Sequence, residues 1–352
     1  MKRVLLLHTG GTLGMAAPPA PPTGGSAPRG LAPDRFARAL VAQVPELTRL
    51  AEIDTRILCN LDSSDVGPEE WSALALEVAA ARERADGVVI VHGTDTMAYT
   101  ASALSFALEG LDRPVVLTGS QRPLGEVRTD ARHNLVDAVD LATRDIPEVG
   151  ICFDGALLRG NRATKGDAWS YAAFASPGCP PLARLGIDVE VAPHVRRPPL
   201  VPTVPFRCRP EFDPRVAIVH VLPGMAPASF EALLDHPRTA PRGIVLCAFG
   251  VGNVPTRARP LAPAVRRAVD GGVTVLVVSQ AWAGAVDLTL YENGAALADA
   301  GALPGGDLRV EAAAVKLMHA LAIFPDDPAG RADYLSANVA GERGDGLRHL
   351  RD

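Results

Sequence analysis

Residues 1–12, MKRVLLLHTGGT, place an unbroken apolar run, Val4 to Leu7, directly before a His-Thr-Gly-Gly turn. Apolar residues without alternation mark a strand covered on both faces, the pattern of a parallel sheet. Six more runs of this kind follow, at residues 87–91, 114–117, 150–153, 216–221, 243–248 and 273–278. Helical patterns lie between them, among them residues 34–44, 68–84 and 97–111. Strands alternating with helices predict a doubly wound α/β architecture.

Further out, the 352 residues suffice for two domains, each with its own core. The stretch PHVRRPPLVPTVPFRCRP, residues 193–210, holds six prolines and suits an extended connector rather than a central strand or helix. The expected organisation is a larger N-terminal domain with a mainly parallel sheet over residues 1–195, then a proline-rich linker over 196–214. A smaller C-terminal α/β domain follows over 215–352. A second stretch poor in core-forming residues, AAPPAPPTGGSAPRG at residues 16–30, follows the first strand's turn. It reads either as a surface loop or as a lid over a site at that turn.

Composition narrows the functional classes. A hydrophobic share of 47% and a charged share of 21% are those of an ordinary soluble protein. Basic residues number 35 and acidic residues 40, and the net charge of -5 offers no electrostatic footprint for nucleic acid. The five cysteines show no CxxC or CxxH spacing. Cys59, Cys152 and Cys247 sit in or beside apolar runs and read as buried free thiols. An odd cysteine count suits a reducing cytoplasm. The first apolar run is too short for a secretory core or a membrane span, so a cytoplasmic protein with no membrane partner is expected.

Two strand ends carry threonine–glycine clusters: His8-Thr9-Gly10-Gly11-Thr12 and His92-Gly93-Thr94-Asp95-Thr96-Met97. Ligands of open α/β sheets bind outside the carboxyl ends of strands, and glycine lets the backbone approach them closely. One such cluster alone is usually a turn or a helix cap; two together are a much stronger signal. Neither contains GxGxxG, and neither is followed by GK[ST], so dinucleotide and P-loop sites are not indicated. No cofactor and no metal is expected.

TGGT after the first strand and HGTDTM after a later one resemble the two signature motifs of bacterial-type L-asparaginases. The likeness continues through Asp62-Ser63-Ser64-Asp65, Gly119-Ser120-Gln121-Arg122-Pro123, Asn161-Arg162-Ala163-Thr164-Lys165, Ala173-Phe174-Ala175-Ser176-Pro177 and Gly250-Val251-Gly252-Asn253. The DSSD and GSQRPL forms are similar to the cytoplasmic type I branch. The resemblance implies amide hydrolysis, with L-asparagine converted to L-aspartate and ammonia through a threonine acyl-enzyme. It makes Thr12 the nucleophile and Thr94, Asp95 and Lys165 the groups that activate it. A hydroxyl is a poor nucleophile at neutral pH without a base, and a lysine enclosed away from water can take its proton. Lys165 stands about 70 residues from Thr94 in the chain, so only folding can join them.

An amino-acid amide brings an ammonium and a carboxylate. The resemblance gives the ammonium to Asp95 and the carboxylate to Ser63 and Ser64, with Gly11, Asp62 and Gly93 beside them. Backbone N–H groups near Thr12 or Thr94 suit an oxyanion. Asn253 would reach the site of a neighbouring subunit, which implies a homodimer or homotetramer, and Gln280 and Tyr291 align with the family's interface region. Two departures stand out. The family's loop tyrosine is replaced: at Gly30-Leu31-Ala32-Pro33 the matching position is Leu31, which can neither donate nor accept a proton. The pair Ser279-Gln280 is followed by Ala281, where allosteric type I enzymes have cysteine. Two other readings stay open: an amidase for glutamine, a peptide or a larger modified amide, and a non-catalytic amino-acid binder.

Overall fold

A computed structural model describes residues 1–14, 40, 42–197, 200–201, 203–235 and 238–344. The candidate lid at 16–30, Leu31 and most of the helical pattern at 34–44 lie outside the described residues. The chain forms two compact units, residues 1–176 with 180–210, and residues 177–179 with 211–352.

In the first unit the strands run β1 (Arg3–Gly10), β2 (Glu52–Leu61), β3 (Gly87–Val91), β4 (Leu108–Glu109), β5 (Val115–Thr118), β6 (Val149–Phe153) and β7 (Ala156–Arg159). They continue with β8 (Thr164–Lys165), β9 (Phe174–Ala175), β10 (Ala183–Leu185), β11 (Val189–Val191) and β12 (Arg207–Cys208). The main sheet has the order β11-β10-β7-β6-β5-β3-β1-β2. Its five strands from β6 to β2 are parallel, while β7, β10 and β11 add antiparallel pairs at the other edge. Helices α1 (Pro68–Ala81), α2 (Met97–Ala107) and α3 (Ala131–Ala142) connect the strands. Leu6, Val89 and Val116 of the sheet pack with Leu135 and Val139 of α3, all essentially buried. Each such side chain contributes roughly 1.5–3 kcal/mol.

The second unit repeats the parallel theme with β13 (Val216–His220), β14 (Gly243–Ala248), β15 (Thr274–Ser279) and β16 (Leu303–Pro304), in that order across a parallel sheet. Its helices are α4 (Pro227–Glu231), α5 (Ala262–Asp270), α6 (Glu292–Asp299), α7 (Val310–Ile323) and α8 (Pro328–Ser336). Ile244, Leu246, Val275 and Val277 form its core with Val265 and Ala268 of α5.

All seven apolar runs are strands, and the fold class is the expected one. The ten-residue strand β2 was not anticipated: its burial alternates because it lies at the sheet edge, so it shows no continuous apolar run. The same edge position corrects the reading of Cys59, which is only half-buried, whereas Cys152 and Cys247 are buried; all five cysteines are free thiols. From β2 inward the parallel order is β2-β1-β3-β5-β6. In a doubly wound sheet of this order, the crevice lies between the first and third strands, where successive connections leave toward opposite faces. The TGGT cluster spans the end of β1, and HGTDTM follows β3.

Candidate active site

Three glycines let the loops beyond β1, β2 and β3 meet. Gly10 and Gly11 adopt φ of 124° and 88°, a region that strains any residue with a side chain. A Cβ on Gly10 would stand 2.0 Å from the Leu61 carbonyl oxygen, and one on Gly11 would stand 2.6 Å from Gly93 Cα. A Cβ on Gly93 would stand 2.6 Å from Ser63 Cβ. The backbones carrying Thr12, Ser63 and Thr94 are therefore in direct contact. Any side chain at these glycines would force them apart.

Thr12 opens a short 3-10 turn, Thr12–Gly14, and is half-buried. Beyond β2, the Asp62 carboxylate caps a second turn, accepting the Ser64 N–H at 2.9 Å and the Ser64 hydroxyl at 2.6 Å. Those two hydrogen bonds hold its carboxyl below the usual carboxylate range. Ser63 is buried, and its carbonyl accepts the Thr96 hydroxyl at 2.5 Å, which ties this turn to the HGTDTM loop.

Lys165 ends β8, opposite Phe174 of β9. Its Nζ donates to Thr94 Oγ1 at 2.8 Å and to Asp95 Oδ1 at 2.6 Å. Folding thus joins three of the four candidate catalytic groups across 71 residues of sequence. The Lys165 side chain is 16% exposed and that of Asp95 is 69% exposed. The amine is enclosed while the carboxylate opens outward, where a ligand's ammonium can reach it. A hydroxyl held against an enclosed amine is one arrangement through which proton transfer in acyl chemistry can run.

Beneath Thr94 runs a directional hydrogen-bond chain. His92 Nδ1 lies 2.7 Å from the Gly93 carbonyl oxygen, which can only accept, so Nδ1 carries the proton. Burial pushes His92 down to about 4, so the ring is neutral near pH 7 and Nε2 accepts the Thr100 hydroxyl at 2.9 Å. Thr100 in turn accepts the Trp71 indole N–H at 3.1 Å. Burial likewise brings His8, on β1, down to about 4.

A pH dependence follows from these two histidines. Both have folded values below the unfolded value near 6.5, so the unfolded chain binds more protons as pH falls below that value. Their contribution is complete above about pH 7 and is lost as pH falls toward about 4, at roughly 3 kcal/mol each for shifts of this size. Thermal unfolding followed from pH 8 to pH 4 should be level above pH 7 and fall steadily below 6.5. A midpoint unchanged between pH 7 and pH 4.5 would contradict neutral burial of these rings.

Asn253 lies in the second unit, where its backbone forms an isolated bridge with Phe249. Its Oδ1 is enclosed and has no hydrogen-bond partner among the described residues. Gln280 turns inward, donating from Nε2 to the carbonyls of Val221 and Cys247, both at 2.7 Å. Tyr291 is 61% exposed at the start of α6. Gln121, to which the sequence motifs assign no role, accepts a hydrogen bond from Thr94 Oγ1 at 3.2 Å. Its place in the loop after β5, next to β3 in the sheet, was the available signal. Among the described residues, no group of three or more His, Cys, Asp or Glu side chains is placed to hold a metal ion.

A doubly wound domain with hydroxyls and an enclosed lysine at the ends of its strands, together with a second unit built on a parallel sheet, defines the class: a two-unit α/β protein with a threonine–lysine site. The chain belongs to the asparaginase family. Residues 3–197 match the family's N-terminal domain, and residues 215–332 match the glutaminase/asparaginase C-terminal domain. It is 37% identical to L-asparaginase 1 of Escherichia coli over 351 residues, covering 97% of this chain and 98% of that protein. Its structure is similar to the thermostable L-asparaginase from Thermococcus kodakarensis, with TM-score 0.84, 34% identity, and 97% and 99% of the two chains covered. It is also similar to L-asparaginase I from Vibrio cholerae, with TM-score 0.83, 34% identity and the same coverage.

Proposed function

We propose that this protein hydrolyses the side-chain amide of L-asparagine, giving L-aspartate and ammonia through an acyl-enzyme on Thr12. The observation that carries the reading is Lys165, enclosed and in contact with both Thr94 and Asp95, in a chain of the asparaginase family. Thr12 attacks the amide carbon, and the Thr94–Lys165 pair takes the proton and delivers it to the leaving ammonia. Water then releases aspartate by the reverse sequence. The outward-facing Asp95 carboxylate receives the substrate ammonium, and the Asp62-Ser63-Ser64 turn receives its carboxylate. Gly11 and Gly93 allow the close backbone approach that an oxyanion needs.

Self-association as a homodimer or homotetramer belongs to the same proposal, with Asn253 reaching a neighbouring subunit. Trp282, Leu290 and Tyr291, each more than half exposed in the segment after β15, supply apolar surface for such a contact. Five free cysteines support a cytoplasmic setting.

Ammonia release should be greatest with asparagine in a panel that includes glutamine and peptide amides, and Thr12→Ala should abolish it. Faster turnover of another amide would displace asparagine as the substrate. Undiminished release by Thr12→Ala would remove Thr12 as nucleophile.

A further inference from the structure

Among the described residues Thr94 Oγ1 has two side-chain partners, and of these the proton transfer proposed above calls only on Lys165. The second is Gln121, whose amide has one possible orientation. Its Nε2 faces two backbone carbonyls, Ala168 O at 3.1 Å and Ser170 O at 3.0 Å. Carbonyls only accept, so the NH2 end must point to them and Oε1 must point to Thr94. Oε1 only accepts in turn. The Thr94 hydroxyl therefore gives its single proton to Gln121, and its lone pairs are left facing Lys165 Nζ.

The two carbonyls belong to a hairpin that springs from Lys165. Its base is closed by Lys165 opposite Phe174 and by the Gly166 N–H on the Ala173 carbonyl at 2.9 Å. Its tip is folded by Asp167, which accepts the N–H groups of Trp169 at 2.7 Å and Ser170 at 2.9 Å. Gln121 is itself held by Asp130, whose carboxylate accepts the Gln121 N–H at 2.9 Å. One anchored amide thus grips both Thr94 and the hairpin that carries Lys165.

We propose that Gln121 is a positioning residue: it holds the Thr94 side chain and fixes the hairpin of residues 166–173, so that Thr94 and Lys165 meet in register. The proposal rests on the amide-hydrolysis reading for its kinetic consequence, though not for the coupling itself. Gln121→Met keeps the length and removes every side-chain hydrogen bond, while the backbone bond to Asp130 stays. Gln121→Glu keeps an acceptor for Thr94 but turns an acceptor toward the two carbonyls.

Both variants should lower kcat on asparagine by roughly 10- to 100-fold while KM moves by less than about threefold, the mark of a misplaced catalytic group. In hydrogen exchange without substrate, the amides of residues 166–173 should exchange about tenfold faster or more, with the parallel strands unchanged. A kcat within twofold of wild type overturns the proposal, even if the melting temperature falls, since a purely structural glutamine would show that pattern. If wild type releases no ammonia from asparagine, the functional reading fails on its own. Exchange at residues 166–173 then decides the coupling: faster exchange sustains it, and unchanged exchange overturns it.

Discussion

Lys165→Met should lower the turnover of asparagine by about 100-fold or more, the usual scale for losing a general base. No other cationic side chain contacts Thr94 or Asp95 among the described residues, so no amine stands ready to replace it. Methionine fills much of the same volume, which keeps the loss chemical rather than structural. Lys165→Arg separates two roles that methionine removes together. Arginine keeps the positive charge beside Asp95 but cannot release its proton at working pH. Turnover as low as in Lys165→Met would assign the lysine to proton transfer. Recovery to near wild type with arginine would leave it only an electrostatic task, and near wild-type activity in Lys165→Met would remove it from the mechanism.

The largest stability effect is expected in the second unit. Lys316 on α7 and Glu342 beyond α8 form an ion pair at 2.6 Å with both side chains 0% exposed. Lys316 also donates to the carbonyls of Leu335 at 3.2 Å and Ala337 at 2.6 Å, and Glu342 accepts the N–H groups of Val339 and Ala340. Burial lowers the Lys316 amine from its ordinary value, and Glu342 opposes that shift. Glu342→Gln leaves a buried ammonium without its counter-charge and should cost about 3–5 kcal/mol. Denaturant unfolding would show the loss as an earlier transition. Combining it with Lys316→Met should restore part of the loss, since no uncompensated charge remains. A Glu342→Gln variant within about 1 kcal/mol of wild type would mean that the backbone contacts alone hold the pair's surroundings.

The parallel core was legible because its strands are buried on both faces, and a short continuous apolar run bounded by turn residues is the direct imprint of that burial. Strand β2 escaped for the opposite reason: at the sheet edge four of its ten residues, Glu52, Asp54, Arg56 and Asn60, are exposed and interrupt the pattern. Thr12 and Thr94 could be located in sequence because a turn after a strand is a local feature. Their approach could not, because the contact of Gly11 with Gly93 depends on the lateral order of β1 and β3. The meeting of Lys165 with Thr94 is likewise a property of the hairpin between β8 and β9, whose two-residue strands leave no periodic trace. Only the family resemblance pointed to that lysine. Gln121 shows the same limit: its place in the loop after β5 marks the region, but its role shows only once its amide is seen between a hydroxyl and two carbonyls.

The central claim is that Thr12 becomes covalently acylated during turnover. Mass spectrometry of protein quenched with a slow amide substrate, or trapped with an electrophilic analogue of asparagine, tests it most directly. A single adduct is expected on the peptide containing Thr12, absent from Thr12→Ala. An adduct on Thr94 with Thr12 unmodified would contradict it.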